Sequence, residues 1–407
     1  MKDLKCKRLL AIFLGLTLTT VTACSSSKDE VNENSSDNAD ASNSKVTVYY
    51  EDKALSPYFE YINQKNGSAV YDYIQADSDD YIADIAYNST ISDNPCDVFV
   101  LNCADMEKAY YAAILEELGT TIVNTDNYAK SAIQSVTYKN KIYGYPLIFS
   151  TSVMVYNKAY TTLEPQYFTQ IEDFANNYEV TENNAQVQSI LSWDTDDSFI
   201  NYAFVAGSIN PFGVNGDSEN VSINNEEVKE ALAYYQSLNS LFYMELDDDT
   251  YDRCLEQFRN GALCYTILRT QDLKAVEDSG IDYGIVPVPD ISDTIQTKSL
   301  SNNYCVVINP YSKNKTAAKA AAEHIAYYYA DKLYEVTGDY SCVKKYSSEY
   351  EQVYRAYEKS VPVAKIMNIG DYYTDWHIAL YNIWSGGNIE ENLTMIEDDM
   401  KAQFEKK

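Results

Sequence analysis

Taken as a pattern of apolar and polar positions, the chain alternates short β-type runs with helical ones. Val46-Thr47-Val48-Tyr49-Tyr50 is β-branched and aromatic, and Asp97 to Leu101 is a second short apolar run. The stretch between them, Tyr58 to Ile85, is expected to be mostly helical. Asp105 is placed to cap a helix that carries Met106, Ala109, Tyr110, Ala113 and Leu118 at helical spacing and stops at Gly119. Farther along, the pattern predicts an amphipathic helix from Glu226 to Leu241 and a short helix from Tyr251 to Arg259. Strands are expected from Leu263 to Leu268 and from Tyr283 to Val288. A long helix of alanines and tyrosines is expected from Thr316 to Val336, ending at Gly338, and Ile389 to Phe404 closes the chain as a helix. No repeat of about 20–50 residues is visible. Strands and helices in alternation point to an α/β protein, and the folded length exceeds what one core of about 250–300 residues holds, so two lobes are expected.

The first residues follow a different rule. Lys2, Lys5, Lys7 and Arg8 precede an uncharged apolar stretch from Leu9 to Val21, closed by Val21-Thr22-Ala23-Cys24. A spanning helix needs roughly 20 apolar residues, so residues 1–24 are expected to be a cleaved signal rather than a membrane span. Leu-Thr-Thr-Val-Thr-Ala-Cys resembles the bacterial lipobox, which implies that Cys24 becomes the lipidated first residue of the mature chain. Each buried methylene contributes roughly 0.8 kcal/mol, so two acyl chains hold a protein on a membrane where one does so marginally. Residues 25–45 are almost wholly Ser, Asn, Asp, Glu, Ala and Lys, with Val31 the one large aliphatic. Such a segment buries too little to offset its ordering entropy and is expected to be a disordered tether. The expected location is the extracytoplasmic face of the cell membrane.

Charge narrows the partners. The formal net charge is −30, and loss of the signal, with its four basic residues and Asp3, makes the mature chain more acidic still. Nucleic acid and anionic lipid are repelled by such a field, whereas solubility and a cationic ligand are compatible with it. Of the eight cysteines, Cys6 leaves with the signal and Cys24 carries lipid, leaving Cys96, Cys103, Cys254, Cys264, Cys305 and Cys342. With no Cys-x-x-Cys pair and two histidines, His324 and His377, no metal site is expected, and the six are expected as buried free thiols. Asp247-Asp248-Asp249 lacks the glycine and terminal glutamate of a calcium loop and is expected as a helix entry.

Five segments in order resemble the extracellular solute-binding proteins of bacterial ABC importers, nearest the maltose-type sugar-binding branch. They are KIYGYPLIFSTSVMVYNK (141–158), FRNGALCYTIL (258–268), GIDYGIVPVP (280–289), SLSNNYCVVINPYSKNKTAAKAAAEHI (299–325) and IWSGGNIEENL (383–393). The resemblance implies a two-lobed α/β fold with the ligand cleft at the hinge: lobe one from 46–148 plus 301–345, lobe two from 149–300 plus 346–407. It also implies a monomer that carries no cofactor, is not an enzyme, and hands a sugar to the transmembrane subunits of an ABC permease. A pyranose needs aromatic rings over its C–H faces and carboxylates or amides on its hydroxyls. Positions matching the family's site are Glu51 and Asp52 after the first strand, Asn102 and Asp105 after the second, and Trp193, Asp197, Phe199 and Tyr202 in WDTDDSFINYAF. Tyr373 matches a sugar-stacking tryptophan, with Trp376 one turn later.

The chain departs from that pattern at two places. Ser150 stands where an Asp or Glu is usual, and Leu268-Arg269-Thr270-Gln271 replaces an Asn-Gly-Pro-Trp, so Arg269 and Gln271 enter the site in place of a stacking ring. Arg269 is suited to a carboxylate, either on an acidic sugar or on a neighbouring Asp or Glu. A second ligand class, a polyamine or basic peptide, would also suit many carboxylates and tyrosines through ion pairing and cation–π contact. An extracellular glycoside hydrolase needs only two carboxylates and is the competing enzyme class. None of the Gly-x-Ser-x-Gly, His-Glu-x-x-His, Walker or Rossmann signatures is present. Thirty-nine tyrosines make any single one a weak site marker, and Tyr327, Tyr328 and Tyr329 are expected in packing and surface roles.

Overall fold

In the computed structural model ten strands join in one mixed sheet. In chain order they are β1 (Val46–Tyr50), β2 (Tyr71–Gln75), β3 (Val98–Asn102), β4 (Tyr145–Asn157) and β5 (Ser189–Leu191). There follow β6 (Leu263–Arg269), β7 (Tyr283–Pro287), β8 (Leu300–Ile308), β9 (Tyr340–Ser341) and β10 (Val361–Pro362). The order across the sheet is β2-β1-β3-β8-β4-β6-β5, with β9 and β7 also on β4 and β10 on β8. The structure describes residues 45–405 apart from 67–70, 79, 120–121, 243, 245–249 and 368–369. The expected signal, Cys24 and the tether up to Ser44 lie outside the described residues, as do Asp247–Asp249.

The parallel pairs β1–β2 and β1–β3 come from strand–helix–strand units, and β8 runs antiparallel to both β3 and β4. The 13-residue β4 is the crossing: its first half pairs with β8 and β9, its second with β6 and β7. Two cores meet at this strand, the first reaching past the crossing to Val155, Phe258, Leu263 and Leu268. The first gathers Val48, Phe59, Val98, Leu101, Leu147 and Val306, and the second gathers Trp193, Phe204, Tyr235, Trp376, Trp384 and Ile396. The helix Glu351–Lys359 sends Val353, Tyr354 and Tyr357 into the first core, where Tyr357 stacks on Phe149 with ring centroids 3.7 Å apart. Its chain neighbours Ala364 and Ile366 are in the second core. Between them Lys365 is fully buried and its Nζ donates to the Gln134 carbonyl at 2.6 Å; burial lowers its pKa to about 8.

The expected strands at Val46–Tyr50, 97–101, 263–268 and 283–288 and the closing helix Ile389–Phe404 are all present, with ends shifted by a residue at most. Three expectations yield to tertiary pairing. The stretch between β1 and β3 holds β2 between two helices, because Tyr71-Asp72-Tyr73-Ile74 alternates and pairs in parallel with β1. The helix after β3 stops at Tyr111, not Gly119: Ala113 turns left-handed at φ 57°, and residues beyond it pair instead, Glu116 N with Ile308 O at 3.1 Å and Leu118 N with Ile142 O at 2.8 Å. The expected 316–336 helix is broken after Glu323 by a π-turn at His324–Tyr328, where His324 Nδ1 and Tyr71 OH meet at 2.8 Å. Gly338, at φ 83°, ends the last short helix there as expected. The six described cysteines are buried free thiols.

Candidate ligand cleft

Ser150 is the single residue of β4 that is not buried, and it stands at the crossing. Its register partner on β8 is Asn302; two residues on, Tyr304 faces Asn102 at the end of β3. Residues two apart on a strand, and partners across strands, share a face. Asn302 and Tyr304 are the half-buried positions of an otherwise buried β8. Asn102, Tyr304, Asn302 and Ser150 therefore form one polar row across three strands. On the far side of β4, Tyr340 of β9 pairs with Phe149, which brings Asp339 level with Ser150.

Acids gather at the Tyr304 end of this row. Burial, then Asp52, Glu51 and Asp105, push the Tyr304 phenol up to about 12, against a hydrogen bond to Asn102. Burial and the neighbouring Asp52 raise Asp339 to about 6, and its Oδ2 is buried with no hydrogen-bond partner. Asp105 is reached by solvent, yet enough protein surrounds it to raise its pKa, with Lys108 pulling the other way. Asp52 and Asn102 each cap a short turn, accepting from Ala54 N at 2.9 Å and Ala104 N at 3.1 Å, so both are held at the ends of their strands. Glu51 is exposed beside them. The expected residues Glu51, Asp52, Asn102, Asp105 and Ser150 are thus brought together. Asn302, Tyr304 and Asp339 join them without having been singled out. The polar pair Asn302-Asn303 inside a run that otherwise reads as a buried strand was the available signal.

The second lobe adds a differently built wall. Arg269 stands opposite Ser152, two residues along β4 from Ser150 and on the same face. Its guanidinium is ion-paired with Asp197 and lies over the Tyr251 ring, 4.8 Å from the centroid. Tyr251 OH donates to Asp272 Oδ2 at 2.5 Å and accepts the Arg269 backbone N–H at 3.0 Å. Asp197 uses its other oxygen to cap the Ser198–Asn201 turn, accepting from Phe199 N at 2.9 Å. Thr270 ties this end of β6 to the crossing by accepting from Thr151 N at 3.1 Å. Phe199 is half-buried and Gln271 exposed.

Four expected residues lie elsewhere. Trp193 and Trp376 are wholly buried in the second core: Trp193 donates to Asn201 Oδ1 at 2.8 Å and packs edge-on to Trp384, and Trp376 packs edge-on to Tyr202. These large rings fill the core and have no free face for a ligand. Tyr202 and Tyr373 border a cavity of about 430 Å³ that is shared with Gln134, Leu300 and Pro362 and with none of the polar row. Tyr202 OH meets Tyr372 OH at 2.8 Å, and Tyr373 OH accepts from Ala364 N at 3.3 Å.

Two cores joined by a crossing strand, with a polar row at the crossing, are the architecture of a two-lobed binding protein. The known structures agree. A maltose-bound solute-binding protein of Staphylococcus aureus superposes with a TM-score of 0.76 at 18% identity, covering 89% of this chain and 98% of that one. A maltose-bound periplasmic protein of Listeria monocytogenes gives 0.73 at 18% identity with the same coverage. The model of the bacterial extracellular solute-binding proteins matches residues 58–347, and the chain belongs to that family. Among curated relatives, a maltodextrin-binding protein of Bacillus subtilis is 23% identical over 305 residues, spanning 70% of this chain and 73% of its own. A maltooligosaccharide ABC transporter solute-binding lipoprotein of Streptococcus pneumoniae is 21% identical over 300 residues, spanning 69% and 70%. These relatives are named for binding, not for catalysis.

Proposed function

We propose that this chain is the lipid-anchored capture subunit of an ABC importer, holding a neutral oligosaccharide between its lobes and delivering it to a membrane permease. The observation that carries the reading is the polar row Asn102-Tyr304-Asn302-Ser150, flanked by Asp52 and Asp339, in a sheet whose other crossing residues are buried. Amides and carboxylates at that density match the hydroxyl rim of a pyranose, and the relatives named for maltodextrin and maltooligosaccharide support the sugar class. We place lobe one in residues 46–148 plus 301–345, with the helix Glu351–Lys359 packed into its core, and lobe two in the rest, closing when a ligand touches both. Glu51, Asp52, Asn102, Asp105 and Ser150 would accept sugar hydroxyls from lobe one, with Asp197, Phe199, Arg269 and Gln271 approaching from lobe two. The Cys24 lipid and the 25–45 tether would keep the body outside the cell.

A thermal-shift screen with maltotriose, maltohexaose, a galactooligosaccharide and spermidine tests this. A ligand at 100 times its dissociation constant adds about 2.7 kcal/mol to stability, several degrees of melting temperature. A shift with a neutral oligosaccharide is expected. The unpaired acids of lobe one are the feature a polyamine would share, so a shift with spermidine alone would replace the sugar reading.

A further inference from the structure

The Asp197–Arg269 pair does more than shape the second wall. Arg269 is a cation that faces the crossing from β6, and its guanidinium has two assigned neighbours: one amino group is on the Asp197 carboxylate and one face is on Tyr251. Asp197 is in turn fixed by its cap to Phe199 N, with its side chain 8% exposed against 34% for Arg269. Tyr251 is fixed by Asp272. A guanidinium held in this way cannot swing out to meet a ligand charge without leaving a buried carboxylate unpaired, a costly outcome for any desolvated ion. The pair therefore shows the cleft a planar donor with no net charge.

We propose that Asp197 and Arg269 act together as a charge filter: by satisfying one another they reserve the second wall for neutral saccharides and turn away sugars bearing a carboxylate or an ammonium group. This rests on the oligosaccharide reading above and adds the ligand's charge class to it. The filter is reciprocal. Removing the carboxylate frees a guanidinium, which is suited to bidentate recognition of a uronate. Removing the guanidinium leaves Asp197 beside Asp194 and Asp196 without its counter-charge, a group of acids suited to the ammonium of an amino sugar.

The test titrates the full-length protein calorimetrically with three probes: maltotriose, a malto-oligosaccharide ending in glucuronate, and a glucosamine trimer. Wild type is expected to favour maltotriose over both charged probes by at least tenfold. Asp197→Asn, which keeps an oxygen for the Phe199 cap, is expected to cut the neutral-over-anionic preference at least tenfold. Arg269→Gln is expected to do the same for the neutral-over-cationic preference. Circular dichroism melting reports whether each variant is folded. If Asp197→Asn does not fold, Arg269→Gln decides alone. A folded variant that keeps the wild-type preference overturns the filter while leaving the oligosaccharide reading in place. Wild type that binds neither maltotriose here nor any neutral oligosaccharide of the thermal-shift screen overturns both.

Discussion

The two sides of the cleft use the same residue type in opposite ways. On the first lobe, Glu51, Asp52 and Asp105 gather around Tyr304 with no arginine among them, and Asp339, close enough to Asp52 to feel its charge, keeps a buried oxygen without a partner. On the second, Asp197 is bound to Arg269 and its other oxygen is spent on a helix cap. An acid outside an ion pair keeps an oxygen for a hydroxyl; an acid both ion-paired and spent on a cap is part of the frame. Binding strength is then expected to come mainly from the first lobe, and discrimination by charge from the second.

That division can be broken at several points. It requires that Trp193, on the same segment as Asp197, be part of the frame as well. Trp193→Ala should cost about 3–5 kcal/mol of unfolding free energy in a denaturant titration, because it empties a wholly buried site. The molecules that remain folded should bind ligand with wild-type affinity. Asn302→Ala or Asp52→Asn should act the other way, weakening sugar binding by about 1–3 kcal/mol with little change in melting temperature. Equal losses of stability and affinity in either variant would erase the distinction between frame and acceptor.

Asp339 gives the comparison a pH dependence. Its carboxyl titrates near 6 in the native state, above the usual carboxylate range near 4. Between those values the native protein holds the extra proton, so unfolding free energy should fall as pH rises through about 4 to 6 and level off above. Asp339→Asn should remove its own share of that slope, on the order of 2 kcal/mol, and leave the share of Asp375, which burial and the neighbouring Asp399 and Asp371 also raise to about 6; ligand hydroxyls that satisfy the buried Asp339 oxygen should reduce the Asp339 share. A slope unchanged in the variant would assign the effect to other acids. The smallest effect is expected at Tyr373, whose hydroxyl makes one long bond to Ala364 N outside the polar row. Tyr373→Phe should change sugar affinity by less than about 0.5 kcal/mol, and a large loss would show that its cavity is joined to the cleft in solution.

Much of this arrangement was legible in the sequence, for identifiable reasons. Strands such as Val46–Tyr50 and the helix Ile389–Phe404 have uniform local patterns that agree with their burial, so periodicity alone places them. The strand-end residues Asp52 and Asn102 are short polar caps directly after apolar runs, a signal that survives without any neighbour. What escaped depends on distant pairing. Tyr71–Gln75 is a strand because β1 lies beside it, and the helix after β3 is cut short because Glu116 bonds the end of β8. Asp339 gains its place from β9 pairing with β4 across nearly two hundred residues, which no local window contains. Trp193 and Trp376 suit a cleft and a core equally well in the sequence, and only their contacts place them in the core.

The most direct test of the central claim is a calorimetric titration of maltotriose into wild-type protein and into an Asp52→Asn/Asn302→Ala double variant. The account expects one saturable site per wild-type chain and at least about thirtyfold weaker binding in the folded double variant, since two lost polar partners at about 1–3 kcal/mol each amount to that factor or more. Equal affinity in the two proteins would contradict it, because the polar row at the crossing would then not be where the ligand is held.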